Sequence, residues 1–351
     1  MAPCHPHKTA PALFWPQSMK MLSYHCGQRT GPTAKSVLQK PKYDTAFFLR
    51  VFFVMFCFFY PFNLSADSSP SIHFESRQQT WDTKSRKILM EGEAKISGNH
   101  ESLEAEKIHI FFYPMDTGKQ LSAESLKSLK AEGKVRLSSE DIHATADTAL
   151  YESQTQKLLL EGFPAEILHT DLHIRGNIIR FDRIQNQMEV EGSQETPTTL
   201  RETATESVET SPMAARAMMQ HWDLNAKILI LHDKVHMSQA EMNIMADTMT
   251  LYYRSEEKKE HETDHTPPGI EKAIAKGHVR LTHADGHALG EKAVYTSTDE
   301  IIILTGNPAR MERDGNILQG PEIRFNRRTG EIEISGGASG SLFPGSDAAP
   351  F

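Results

Sequence analysis

The chain carries the same stretch twice. Residues 131–192 return at 275–336 with a constant offset of 144 residues (275 − 131) and no gap. The first copy reads AEGKVRL, HATADTALY, KLLLEGFPAEI and IRGNIIRFD; the second reads AKGHVRL, HALGEKAVY, IIILTGNPARM and LQGPEIRFN. Upstream, 81–112 matches 222–253 at an offset of 141 (222 − 81), with Trp81-Asp82 answered by Trp222-Asp223 and Phe111-Phe112 by Tyr252-Tyr253. The small change of offset falls in a polar stretch of both copies, as expected of a loop. A repeat of this size points to stacked supersecondary units and argues against a compact domain built around one unique site.

Inside each unit the pattern is strand, turn, strand, with almost no helical periodicity. Ile88 and Met90 alternate with charged neighbours, Gly92 turns, and Ala94 and Ile96 continue the same face. A strand shows this period of two when one of its faces is buried. In other runs the phase slips by one residue: between Ala105 and Ile108, Ala146 and Ala149, Gly176 and Ile179, and Ala246 and Met249. A slip swaps the two faces unless the strand bulges or turns a corner there, so each long run is expected to be bent. Gly133, Gly162 and Gly192, then Gly277, Gly306 and Gly336, recur about every 30 residues, the length of one bent strand pair.

The expected organisation is an N-terminal extension with a signal peptide or anchor at 1–66, a first β unit at 67–192, a flexible acidic linker at 193–220, a second β unit at 221–336 and a disordered tail at 337–351. The linker follows from a Thr-, Glu- and Ser-rich stretch with too few apolar residues to offset ordering entropy. Met213–Gln220 (MAARAMMQ) reads as one or two helical turns before the second copy, and 256–269 as a solvated loop.

Val51–Tyr60 is an unbroken apolar run preceded by Lys40, Lys42 and Arg50 and followed by Leu64-Ser65-Ala66. That order of basic, apolar and small residues is a signal peptide's, with cleavage expected after Ala66 and a retained anchor as the alternative. Cys4, Cys26 and Cys57 all precede residue 60, so the repeats contain no cysteine, which suits an oxidising compartment. Taking the seven basic residues and one acidic residue of 1–66 from the chain's 38 and 46 leaves 31 and 45, a formal charge of −14. Such a surface excludes nucleic acid as a partner on electrostatic grounds.

The ordered series V-x-L, A-x-x-A-x-Y, L-x-G-x-P/A and I-x-G-x-x-I-x-F, met twice, resembles the OstA-like domain of the LptA family of lipopolysaccharide-transport proteins. The resemblance covers about 81–192 and 222–336. It implies an all-β fold, an antiparallel β-jellyroll or "β-taco" forming an open solenoid of two tandem units. It further implies a periplasmic protein that binds lipid A in an apolar trough, stacks end to end and helps bridge inner and outer membrane for outer-membrane assembly. The implied partners are lipopolysaccharide and the inner- and outer-membrane components of that transport machinery. No cofactor, metal or catalytic residue is implied, and an inner-membrane-anchored partner resembling LptC is the alternative within the same pathway. The tandem units and the longer N-terminus depart from the usual single-unit member.

A dozen methylenes left in water cost on the order of 10 kcal/mol at about 0.8 kcal/mol each, so a lipid carrier needs a long apolar surface. In the first copy that surface is expected from Ile88, Met90, Ala94, Ile96, Val135, Leu137, Leu158, Leu160, Ile167, Ile174, Ile179 and Phe181. In the second it comes from Val235, Met237, Val279, Leu281, Ile302, Leu304, Met311, Ile323 and Phe325. The same residues would equally serve as the core of a closed sandwich. Other chemistry is weaker. His232 and His236 have same-face spacing, and His278, His283 and His287 cluster, yet the first copy has Glu91 and Lys95 where the former pair stands. Asp141, Asp147 and Asp171 would suit a carbohydrate-active solenoid enzyme. Their counterparts Asp285, Glu291 and Gly315 do not preserve the trio.

Overall fold

Alternating apolar residues in runs of eleven to fourteen, joined in most places by short polar turns, leave the chain little choice but a meander. The computed structural model describes residues 72–98, 100–114, 125–169, 172–202, 212–254, 269–284, 286–313 and 315–341. They build one antiparallel sheet of 20 strands, so the expected all-β antiparallel fold is present. It opens with β1 (His73–Glu75) and β2 (Gln78–Asp82), both laid on β3 (Lys87–Ser97). The first meander continues through β4 (Ser102–Phe112), β5 (Leu126–Ser138), β6 (Ile142–Glu152), β7 (Lys157–His169) and β8 (Leu172–Asp182). Four short strands follow: β9 (Gln187–Glu191), β10 (Thr198–Glu202), β11 (Met213–Ala217) and β12 (Met219–Asp223). The second meander is β13 (Ile228–Gln239), β14 (Met242–Tyr253), β15 (Ile270–His283), β16 (Gly286–Thr296), β17 (Ile301–Arg313) and β18 (Asn316–Asn326). The sheet closes with β19 (Ile332–Ser335) and β20 (Ser339–Ser341), both on β18.

Every long strand has a register shift near its middle, for example Glu91/Ala94 in β3, Thr145/Thr148 in β6 and Thr305/Ala309 in β17. These shifts line up across the sheet as a corner dividing each strand into two arms. The phase slips mark it correctly, and the strands without a slip show a second way to turn. In β3, β5 and β15 the corner is a pair of left-handed residues, Gly92-Glu93, Gly133-Lys134 and Gly277-His278. Two extra residues restore the alternation, so Met90 and Ala94 stay on one face. At Gly133, φ is 79° and an added Cβ would lie 2.5 Å from Glu106 Oε2, so this position requires glycine. In β7 and β17 the corner holds the cis peptides Phe163-Pro164 and Asn307-Pro308.

The segment expected as a linker is woven into the sheet. β9 and β10 both pair with β8, and β11 and β12 both pair with β13, so each couple is one bent strand with its corner broken, at 192–197 and at Met218. β9 then pairs with β12 and β10 with β11, joining the two units without a gap. Met213–Gln220 is therefore strand, correcting the helical expectation. Alanine and methionine favour helix in isolation, but the backbone groups of β10 and β13 on either side supply a ladder that overrides that preference. Residues 203–211 of the expected linker, the apolar run 51–60 with its cleavage site, the loop 256–268 and the end of the tail, 342–351, lie outside the described residues.

Candidate functional site

The corner determines what the two arms can bury. Side chains on the inner face of both arms meet one another, and a single apolar cluster runs from Ile88 in β3 to Ile323 in β18. In the first unit, Ile88, Met90, Ala94, Ile96, Val135, Leu158, Leu160, Ile174, Ile179 and Phe181 are buried, with Leu137 and Ile167 partly buried against them. In the second unit Val235, Met237, Val279, Ile302, Leu304 and Ile323 are buried, with Leu281 and Met311 partly buried against the cluster. Phe325 is half-buried and lines the cavity described below. The expected stripe thus lies on one side of the sheet.

The joint between units was missed by reading alternation alone. Met188 and Val190 of β9, Leu200 of β10, Met213, Ala215 and Ala217 of β11 and Trp222 of β12 are all buried and carry the apolar face across the boundary. Five-residue strands are too short for their period to stand out, although the 141 offset from Trp81 to Trp222 was a usable signal. Trp222, 2% exposed, stacks on Tyr253 with centroids 6.4 Å apart and donates from Nε1 to Gln220 Oε1 at 3.2 Å. Thr198, fully buried, donates to the Ala217 carbonyl at 2.9 Å. At the end of β10, Glu202 accepts from the Met213 N–H at 3.0 Å; burial pushes its carboxyl up, partly opposed by that hydrogen bond. Burial, and secondarily the Glu202 charge, also hold the Tyr253 phenol above its ordinary range.

At the C-terminal end the inner face opens into a cavity of about 350 Å³. Its floor is apolar, with Leu281, Ala288, Ile302, Leu304, Met311, Ile323, Phe325 and Ile332. Its rim is polar, with His283, His287, Glu312, Arg313 and Arg327. The outward face elsewhere is laced with cross-strand ion pairs such as Lys95–Glu104 at 2.9 Å and Lys107–Glu91 at 2.8 Å. Exposed pairs like these contribute little to stability and keep the outside wet.

Among the described residues and their pairings, both ends of the sheet are unpaired edges. β1 and β2 pair only with β3, and Trp81 on β2 is 52% exposed, touching Phe74 edge to face at 6.4 Å. β19 and β20 pair only with β18. The histidines form no ligand set: among the described residues no three metal-ligating side chains converge. His232 and His236 fall on opposite arms, separated by the β13 corner, and His236 Nδ1 lies 3.1 Å from an Arg216 nitrogen. His278, His283 and His287 each face a different carboxylate, Asp247, Glu241 and Glu312. Asp147 accepts from the Phe163 N–H at 3.2 Å and so braces the β7 corner, Asp141 sits in the turn before β6, and Asp171 lies outside the described residues.

A bent antiparallel sheet with an apolar inner face and charged flanks defines a β-solenoid of the jellyroll type. The chain belongs to the LptA/(LptD N-terminal domain) family of LPS transport proteins, whose profile matches residues 73–187 and 216–331. The two matches coincide with the two repeats, as the motif series implied. Among solved structures, the chain is similar to LptH, the LptA homologous periplasmic component of the lipopolysaccharide transport device from Pseudomonas aeruginosa. The identity is 12%, the match covers 37% of this chain and 92% of that one, and the TM-score is 0.29. A search of curated proteins finds no match.

Proposed function

We propose that this chain binds lipopolysaccharide through the acyl chains of lipid A and carries it through the periplasm as a preassembled length of the bridge between the membranes. The observation that carries this reading is the predominantly apolar inner face, which crosses the joint at Trp222 and opens at the C-terminal end into a cavity with an apolar floor. Sliding along such a surface costs an acyl chain little, because each methylene leaves one apolar contact for another.

The internal joint also supplies a template for longer assemblies. β19 is the 144-offset counterpart of β9, and β2 is the 141-offset counterpart of β12. Transferring the β9–β12 register, in which Met188 faces Trp222, sets Ile332 of one copy opposite Trp81 of the next. Edge strands with free N–H and C=O groups recruit partners in this way. The same edges are the proposed contacts for the inner- and outer-membrane components of the machinery. Mass spectrometry of lipid co-purifying with the full chain tests the binding proposal: a stoichiometric lipid A species is expected, and its absence from protein isolated from lipopolysaccharide-containing cells would refute it.

A further inference from the structure

The inner face is apolar nearly everywhere, yet both units break that rule at the same places. In β17 the inward positions Ala309 and Met311 are followed by Arg313, which lines the cavity at one lip of the sheet. In the first unit the inward positions Ala165 and Ile167 of β7 are followed by His169, itself buried. At the opposite lip, just past β18, Arg327 lines the same cavity, with its guanidinium 5.7 Å from the centre of the Tyr295 ring. Its counterpart in the first unit, past β8, is Arg183. A basic side chain thus stands at each lip of the last hairpin of each unit, on the side that elsewhere carries aliphatic residues.

Arg313 and Arg327 both line this cavity in a protein that is acidic as a whole. Among the described residues Glu312 is a lining carboxylate, and Arg310 at 3.4 Å and His287 at 3.7 Å both face it. Glu300, on the nearby turn, is occupied by Arg328 at 3.0 Å. Arg327 is instead directed to the inner aromatic, whose face favours a cation and holds the guanidinium at the mouth. Two planar guanidiniums on opposite lips above an apolar floor suit an amphiphile whose tail fills the floor and whose anionic oxygens reach the rim. Phosphate is the group that arginine forks match best, through paired charge-assisted hydrogen bonds.

We infer that Arg313 and Arg327 form an anion clamp across the mouth of the C-terminal cavity, selecting amphiphiles with a phosphorylated headgroup over neutral ones of the same tail. The clamp rests on the proposed lipid-carrying role and adds headgroup recognition to it. His169 and Arg183 are the corresponding pair in the first unit.

Binding to the full-length chain would be measured by displacement of a fluorescent fatty acid. The competitors are lipid A, the same lipid after enzymatic removal of its phosphates, and inorganic phosphate alone. Wild type is expected to prefer the phosphorylated lipid by about tenfold or more, a preference that shrinks as salt rises. In the double variant Arg313→Gln/Arg327→Gln that preference should be lost, the affinity for the phosphorylated lipid falling to that for the dephosphorylated one, and Arg327→Lys should keep part of it. Inorganic phosphate should not displace the probe. Equal wild-type affinity for the two lipids, or a preference that survives the double variant, overturns the clamp and leaves the apolar carrier intact. Displacement by inorganic phosphate at the concentrations effective for lipid would make this a free-anion site and overturn the clamp as a lipid headgroup site. Failure of both lipids to bind wild type would overturn the clamp and the carrier together.

Discussion

Trp81 and Trp222 occupy the same place in the two repeats but differ in their surroundings, so replacing each by alanine isolates the effect of the joint. Trp222 is 2% exposed, faces Met188 across the joint and stacks on Tyr253. Truncating a buried aromatic of this kind costs about 3–5 kcal/mol, and here the Gln220 acceptor also loses its donor. For a cooperative unit of 150–250 residues that corresponds to a fall in Tm of roughly 6–20 °C. Trp81 makes the analogous hydrogen bond, Nε1 to Gln79 Oε1 at 3.3 Å, but sits half in solvent on an edge strand. Trp81→Ala should therefore change monomer stability by about 1 kcal/mol or less. Its cost should emerge instead in assembly, where a buried aromatic anchor is worth about 2 kcal/mol or more, roughly a 30-fold loss of affinity. Thermal and urea unfolding at low protein concentration would give the first pair of numbers, and sedimentation velocity over a concentration series the second. Equal destabilisation by the two variants, or assembly indifferent to Trp81, would refute the equivalence of the internal joint and the free edges.

Three further outcomes follow from the described geometry. Gly133→Val forces a branched side chain into a left-handed corner facing Glu106 and is expected to cost at least about 1–3 kcal/mol in urea unfolding, whereas the same change at Gly98, which has open space around it, should cost much less. Glu202 has its folded-state pKa raised by burial, so its contribution is unfavourable once the unfolded chain ionises; stability is expected to fall as pH rises from the ordinary value of 4.5 through the raised one. Glu202→Gln keeps an acceptor for Met213 and should be more stable than wild type at pH 7, with the gain vanishing below about pH 4.5 in a pH series of unfolding curves. Asp147→Asn retains an oxygen for the Phe163 N–H, so stability should stay within about 0.5 kcal/mol of wild type; a larger loss would assign Asp147 more than a bracing role.

Much of this architecture was legible because its signals are local. The slip between Ala146 and Ala149 predicts the β6 corner, since a one-residue change of phase has no other use in a strand with one buried face. The inward stripe followed directly from that alternation. Corners made of paired left-handed residues, as at Asp233-Lys234, leave no slip and were invisible to it. The joint was hidden for a different reason: β10 and β11 gain their ladder from β8 and β13, whose positions no local pattern conveys. Arg313 and Arg327 read as ordinary charges near turns until the bend brought both lips onto one cavity.

The claim on which the account depends is that acyl chains lie against the inner face, and site-specific photocrosslinking in living cells tests it most directly. Photoreactive residues at Ile96, Ile179 and Phe325 on the inner face should capture lipopolysaccharide, and one at Lys95 on the ion-paired outer face should not. Crosslinks only from Lys95, or none from any inward site while the protein is folded and abundant, would contradict it.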